Sequence, residues 1–322
     1  LFREMVESGA EYAVMEVSSH ALKLGRVADV EYDVGAFTNL TQDHLDFHIT
    51  MEDYFASKAK LFEMCKKGVI NIDDPAGRKL AEIAKCELLT YGEKNGNAAV
   101  AAKNVRLFPD RVEFEALTDR EIARIVLGIP GDFSVYNALA AVGCGLALGF
   151  ELRDIASALK ECTGVKGRAE VVPTGTDYTV MIDYAHTPDA LENILKTVQG
   201  FAKGDVIAVF GCGGDRDATK RPIMGKTVEK FADIAVVTSD NPRTERPEAI
   251  IDDILAGMDG SIPRVVIPDR VEAICWAMDN AKPGDVVLLA GKGQETYQEI
   301  NGEKYHMDER EIVRDHLAET RG

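Results

Sequence analysis

The chain has 322 residues, 46% hydrophobic and 28% charged, with 28 glycines and 11 prolines, an ordinary globular composition sufficient for about two domains. A formal net charge of −17 excludes a general binder of nucleic acid or anionic membrane, although local arginine and lysine clusters still suit a small anion. There is no signal peptide and no apolar run long enough to cross a bilayer, and cysteines 65, 86, 144, 162, 212 and 275 form no C-x-x-C pair, as expected of reduced thiols in a cytoplasmic protein.

Residue 1 is leucine, and LFREMVESGAEYAVMEV reads as a helix running into a buried strand, so further chain is expected upstream. VGAFTNL reads as a strand and MEDYFASKAKLFEMCKK as an amphipathic helix. GVINIDD follows as a strand, and PAGRKLAEIAK as a helix with proline in its first turn. AAKNVRLFPDRVEFEAL predicts two strands joined at a Pro-Asp turn. IARIVLGIPGDF then leads into SVYNALAAVGCGLALG, whose residues suit a helix buried on most sides. From about residue 165 the strands YTVMIDYAH, DVIAVFGCGGD, ADIAVVTSD, RVVIPD and DVVLLAGKG alternate with helices, which predicts an α/β fold with a parallel sheet covered on both faces. Ligands of such sheets gather at the carboxyl ends of the strands. The loops DYAH, GCGGDRD, SDNPR and GKGQE are therefore expected on one rim. The expected domains are 1–164 and 165–322.

Several side chains are candidates for chemistry, each beside a plainer role. Glu16, at the tip of its expected strand, suits Mg²⁺ as well as it suits a capping or solvated acid. Asn39, Asp43, His44, Asp46 and His48 in NLTQDHLDFH make a poor zinc site; they suit a hard cation or simply a polar loop. Lys58 lies near the apolar face of its helix, as a snorkelling residue or as a lysine that has reacted with CO₂, while Lys60 points elsewhere. Asn137, Arg168, Asp183 and His186 supply an amide, a cation, an acid and an imidazole suited to a base, a phosphate and a ribose, or to ordinary capping and surface roles. G-x-x-x-x-G-K-[ST] occurs nowhere in the sequence, so Lys292 in GKG is not a P-loop lysine.

Taken in order, EVSSH, FTNLTQDHLDFH, YFASKAKLF, GDFSVYN, GVKGRAE, DYAHTPDAL, GCGGDRD, SDNPRTE and AGKGQETYQ resemble the Mur ligase family along almost the whole chain. The resemblance implies a partial central ATPase domain, its P-loop and a preceding nucleotide-sugar domain lying upstream, followed by a Rossmann-like amino-acid domain. It also implies ATP-dependent amide-bond formation in peptidoglycan precursor synthesis, through an acyl phosphate on the D-Glu of UDP-MurNAc-L-Ala-D-Glu. Glu16, His44 and a carbamylated Lys58 would hold two Mg²⁺ ions. Ser18 and Arg26 would touch the muramoyl dipeptide. Asn137, Arg168, Asp183 and His186 would serve ATP. DNPR marks the members that add meso-diaminopimelate: Arg243 would grip its distal carboxylate, with Pro242 stiffening the loop. Arg216, Asp240, Asn241, Gly291 and Glu295 complete that pocket. Ser134 and Gln294 depart from the asparagine and histidine common in the family. A lysine-adding relative, disfavoured by Arg216 and Arg243, and a noncatalytic amino-acid-binding remnant are the alternatives. A monomer is expected, without nucleic acid or membrane insertion.

Overall fold

A computed structural model describes residues 2–41 and 45–320. In chain order it contains α1 (Phe2–Glu7), α2 (Ser19–Lys23), β1 (Tyr32–Phe37), α3 (Leu45–His48), α4 (Met51–Ala59), β2 (Cys65–Asn71), α5 (Pro75–Ile83) and β3 (Glu87–Gly92). Next come β4 (Val100–Leu107), β5 (Val112–Leu117), β6 (Ile122–Leu127), α6 (Asp132–Ala147) and α7 (Leu152–Lys160). The remainder is β7 (Glu170–Val172), β8 (Thr179–Asp183), α8 (Pro188–Gln199), β9 (Val206–Phe210), α9 (Lys220–Phe231), β10 (Ile234–Val237) and α10 (Pro247–Leu255). It closes with β11 (Arg264–Val266), α11 (Arg270–Asn280), β12 (Val286–Ala290), β13 (Tyr297–Ile300), β14 (Glu303–His306) and α12 (Glu309–Thr320). Two compact units result. One holds residues 1–103, 116–122 and 139–155; the other holds 104–115, 123–138 and 156–322.

In the first unit β1, β2, β3 and the start of β4 are parallel neighbours. Val69 and Ile70 of β2 are sealed from solvent, as befits a strand covered on both faces. Asp74 starts α5 by accepting the Ala76 and Gly77 N–H groups at 2.8 and 3.2 Å, and Pro75 follows as the first helical residue, where its missing N–H costs nothing. The helix expected over 51–67 is shorter: α4 ends at Ala59, a 3₁₀ turn covers Lys60–Glu63, and Cys65–Lys67 join β2. Ladder pairing of Cys65 with Tyr32 and of Lys67 with Glu87 wins there over helical periodicity. A larger departure is EYAVMEV, which forms no strand and is mostly exposed. A cavity of about 690 Å³ lined by residues 11–19 and 30–38 lies between it and β1. The segment therefore gains neither ladder bonds nor burial, and Glu16 sits in exposed coil rather than at a strand tip.

In the second unit the sheet order is β11-β10-β9-β12-β8-β7. Every pairing is parallel except that of β7 with β8, so the expected parallel sheet is present. All residues of β9 and β12 are buried. One apolar cluster joins α8, α9 and α10 to one face, and another joins α11 and α12 to the other. The Pro-Asp turn between β4 and β5 also forms, closed by Phe108 N–H donating to the Arg111 carbonyl at 2.9 Å.

Polar groups anchor the same sheet from below its rim. Arg270, 1% exposed, donates to Glu309 Oε1 at 2.8 Å, the Ser239 carbonyl at 3.3 Å and the Ala290 carbonyl at 2.9 Å. Arg270→Met should cost ~3–5 kcal/mol in urea unfolding, because it strands a buried carboxylate. Arg270→Met/Glu309→Leu should recover about half of that loss, since it removes both charges.

Candidate functional site

In the first unit Glu16, Ser18 and Lys58 line the same cavity. Ser18 caps α2, its hydroxyl accepting the Ala21 N–H at 3.2 Å. Lys58 is half-buried, donating to the Asn39 carbonyl at 3.4 Å with Nζ 5.2 Å from the Tyr54 ring centre; Lys60 is exposed. Arg26 is exposed in the turn after α2, its N–H bonded to the Ala21 carbonyl at 2.9 Å. His44 lies outside the described residues, as does Asp43. Among the described residues no three His, Cys, Asp or Glu side chains are grouped to hold a metal.

His48 turns inward and is wholly buried. Its Nε2 is 2.8 Å from Ser19 Oγ, its Nδ1 3.4 Å from Asp53 Oδ2, and its ring stacks on Tyr54 at 4.9 Å. Lys23 pairs with Asp53 in turn. Burial depresses the His48 pKa despite the hydrogen bond to Asp53, which pulls the other way.

In the second unit the loops after β8, β9, β10 and β12 supply the rest. Asp240 and Asn241 are 7% and 4% exposed. Asn241 Nδ2 donates to Glu295 Oε2 at 2.9 Å, and its backbone N–H donates to Asp240 Oδ1 at 2.6 Å. Gly291 has φ +118°, and a Cβ there would lie 2.7 Å from Asp240 Oδ2. A Cβ on Gly214 would lie 2.0 Å from the Pro242 carbonyl, so the loop carrying Arg216 meets the DNPR loop backbone to backbone. Arg243 Nη1 donates to the Gly214 carbonyl at 2.7 Å, and its Nε is 3.3 Å from Glu299 Oε2. Arg216 is exposed beside this group. The rim thus joins Asp240, Asn241, Pro242, Arg243, Gly291 and Glu295 around mixed charge, an arrangement suited to an amino acid bearing a further polar end.

Another part of the rim collects Arg168, Asp183 and His186. Arg168 lies 5.3 Å from the centre of the Tyr184 ring, and His186 meets that ring edge-on at 4.6 Å. Asp183 accepts the Ala169 and Ala185 N–H groups at 2.7 and 2.8 Å, yet burial still raises its pKa. Asn137 is exposed on the second turn of α6, and the nearby Ser134 hydroxyl bonds back to the Pro130 carbonyl at 2.8 Å.

Comparison with known proteins identifies the family. The Mur ligase middle domain matches residues 1–145, and the glutamate ligase domain of Mur ligases matches residues 167–293. A relative from Clostridium botulinum named UDP-N-acetylmuramoyl-L-alanyl-D-glutamate--2,6-diaminopimelate ligase is 48% identical over 321 residues, 99% of this chain and 66% of its own. One of the same name from Caldanaerobacter subterraneus is 50% identical over 322 residues, again 99% and 66%. A solved structure of that name is 34% identical with a TM-score of 0.78, covering 99% of this chain and 67% of its own. The chain belongs to the Mur ligase family.

It spans about two thirds of the length of these relatives. Within this Mur ligase chain, three groups escaped sequence reasoning. His48 sits in the NLTQDHLDFH cluster of candidate cation ligands, and its buried contacts make it a brace between α2 and α4. Tyr184 sits inside DYAH, where an aromatic next to a proposed nucleotide contact was a readable signal. Lys292 lies outside any P-loop spacing, yet it is fully buried among the rim groups.

The depressed pKa of His48 gives a pH signature. The folded state disfavours the imidazolium, so the stability from its neutral form is complete above the ordinary histidine value of 6.5 and is lost as pH falls below it. His48→Gln should flatten the decline in unfolding free energy on going below that pH, as read from urea titrations at stepped pH.

Proposed function

We propose that this chain provides the catalytic and amino-acid-binding parts of an ATP-dependent ligase that adds meso-diaminopimelate to UDP-MurNAc-L-Ala-D-Glu in peptidoglycan precursor synthesis. Its likeness to ligases of that name supports the reading. The single observation that supports it is that Arg243, held by Glu299 and the Gly214 carbonyl, belongs to the same DNPR loop whose Asn241 bonds Glu295. Meso-diaminopimelate differs from lysine by a carboxylate on its far end. A guanidinium and acidic groups held together match a terminus bearing both charges. Lysine offers no carboxylate to Arg243, which would stay paired with Glu299, so the guanidinium would contribute nothing to holding lysine.

The chemistry follows from the poor leaving ability of a carboxylate oxygen. The D-Glu side-chain carboxylate takes the γ-phosphoryl group of ATP, releasing ADP and forming an acyl phosphate. The amine of the incoming amino acid attacks the acyl carbon, the tetrahedral intermediate expels phosphate, and the amine proton is lost as the amide forms. Phosphoryl transfer depends mainly on positioning and charge neutralisation. Glu16 and Lys58 line one cavity. A carboxylate and a lysine carbamate there would provide the oxygen donors a hard cation prefers. With His44 they would hold two Mg²⁺ ions, which would screen the phosphate charges. Ser18 and Arg26 are assigned to the dipeptide, and Asn137, Arg168, Asp183 and His186 to ATP. Residues 1–164 would form the ATP-binding part and 165–322 the amino-acid part. We place the enzyme in the cytoplasm as a monomer.

To grip the distal carboxylate through Nε and Nη2, Arg243 must exchange its contact with Glu299. Arg243→Ala in the ligase should lower kcat/KM for meso-diaminopimelate about 10²-fold or more while ATP binding by calorimetry persists. Unchanged kinetics would refute the clamp. Lys58→Ala should abolish turnover, with partial rescue by short-chain carboxylates that replace the carbamate; full activity without rescue would dispose of that role.

A further inference from the structure

Lys292 has no part in the roles above, yet it is the most deeply placed cation of the amino-acid rim. Its side chain is fully buried, and a buried ammonium is costly unless paired and hydrogen-bonded. Here Nζ donates to Asn241 Oδ1 at 2.8 Å and to Glu295 Oε2 at 3.1 Å, and lies 5.6 Å from the Tyr297 ring centre. These partners are two residues of the proposed diaminopimelate pocket.

The hydrogen-bond inventory determines which way that pocket faces. Asn241 Oδ1 accepts from both Lys292 Nζ and the Glu299 N–H, the latter at 2.9 Å, which uses both of its lone pairs. Turning the amide over would set its NH₂ against two donors. Asn241 Nδ2 is consequently aimed at Glu295 Oε2, which also accepts from Lys292. One oxygen of Glu295 is thereby committed inside the network, while Oε1 takes part in none of these bonds.

We propose that Lys292 is a positioning residue for amino-acid recognition: its ammonium fixes the Asn241 amide and anchors one oxygen of Glu295, so that the other meets the incoming ammonium. The inference rests on the reading of this rim as the diaminopimelate pocket. Lys292 itself touches no substrate in this scheme. Its charge also offsets the acids around it, so that a zwitterionic terminus enters a site that is not uniformly negative.

The test is steady-state kinetics of the ligase. Lys292→Met should raise KM for meso-diaminopimelate about tenfold or more, while KM for ATP and for UDP-MurNAc-L-Ala-D-Glu stays within about twofold. Lys292→Gln retains an N–H donor for Asn241 without the charge and should restore part of the loss. Circular dichroism melts report folding, and if the methionine variant does not fold, the glutamine variant carries the same comparison. A folded variant with an unchanged meso-diaminopimelate KM, or with all three KM values raised alike, overturns the positioning role. Failure of the unmutated enzyme to use meso-diaminopimelate would instead overturn the proposed function, so the two failures are distinguishable.

Discussion

The Arg270 guanidinium, sealed with Glu309 beneath the sheet, holds the carbonyls that follow β10 and end β12. A rigid fork with several donors can satisfy two strand ends at once, which a point charge on a flexible stem does poorly. The DNPR and GKGQE loops consequently leave the sheet from fixed points. Everything proposed for the amino-acid rim depends on that spacing. A lysine ammonium, an asparagine amide and a glutamate carboxylate can share hydrogen bonds only if the two loops stay within a few ångströms of each other.

Above this anchor the loops lock to each other in two ways. Backbone meets backbone at Gly214, where any side chain would strike the Pro242 carbonyl. Side chains tie the same loops together elsewhere: Glu245 accepts from the Asp215 N–H at 2.6 Å and from the buried Arg221 at 2.7 Å. The hairpin of β13 and β14 adds a strap, with Gln298 Nε2 donating to the Asp240 carbonyl at 2.6 Å. Recognition groups held by packed neighbours lose little freedom on binding, so more of their interaction energy appears as affinity.

Much of this was legible in the residues. The alternation of VIAVF, IAVV and VVLLA with amphipathic helices predicted the parallel sheet, because strands buried on both faces read as continuous apolar runs. The rim loops followed from the rule that such sheets bind ligands at strand ends. Tertiary decisions were less visible. EYAVMEV has the residues of a buried strand, yet whether it pairs depends on neighbours that its own pattern does not encode. ELLTYG shows no clear alternation of its own, and its pairing with β2 over Glu87–Tyr91 makes it a strand. Beyond GKG the chain forms a hairpin of TYQEI and GEKYH, turned back at Asn301-Gly302, both residues having positive φ. Lys292 shows a different limit. The GKG pattern marks only the absence of a phosphate loop, whereas the burial of Lys292 and its bond to Asn241 exist only in the folded chain.

Arg243 brings backbone and function together. Its φ is +51°, a conformation that costs a residue with a Cβ roughly 1–2 kcal/mol and that glycine adopts freely. The hairpin offsets this cost with two backbone bonds: Arg243 N–H donates to the Glu299 carbonyl at 3.0 Å, and Asn301 N–H donates to the Arg243 carbonyl at 2.8 Å. Glycine would satisfy the same backbone without strain but would leave Glu299 and the Gly214 carbonyl without their cation. Pro242 fixes the preceding φ, and the left-handed turn at 243 aims the guanidinium along the rim at the Gly214 carbonyl and Glu299. A strained residue held in place by its neighbours is a common property of sites that must present one group in one direction. Under the proposed function this group would distinguish a diamino diacid from its decarboxylated analogue, and the strain and that specificity would then have the same structural origin.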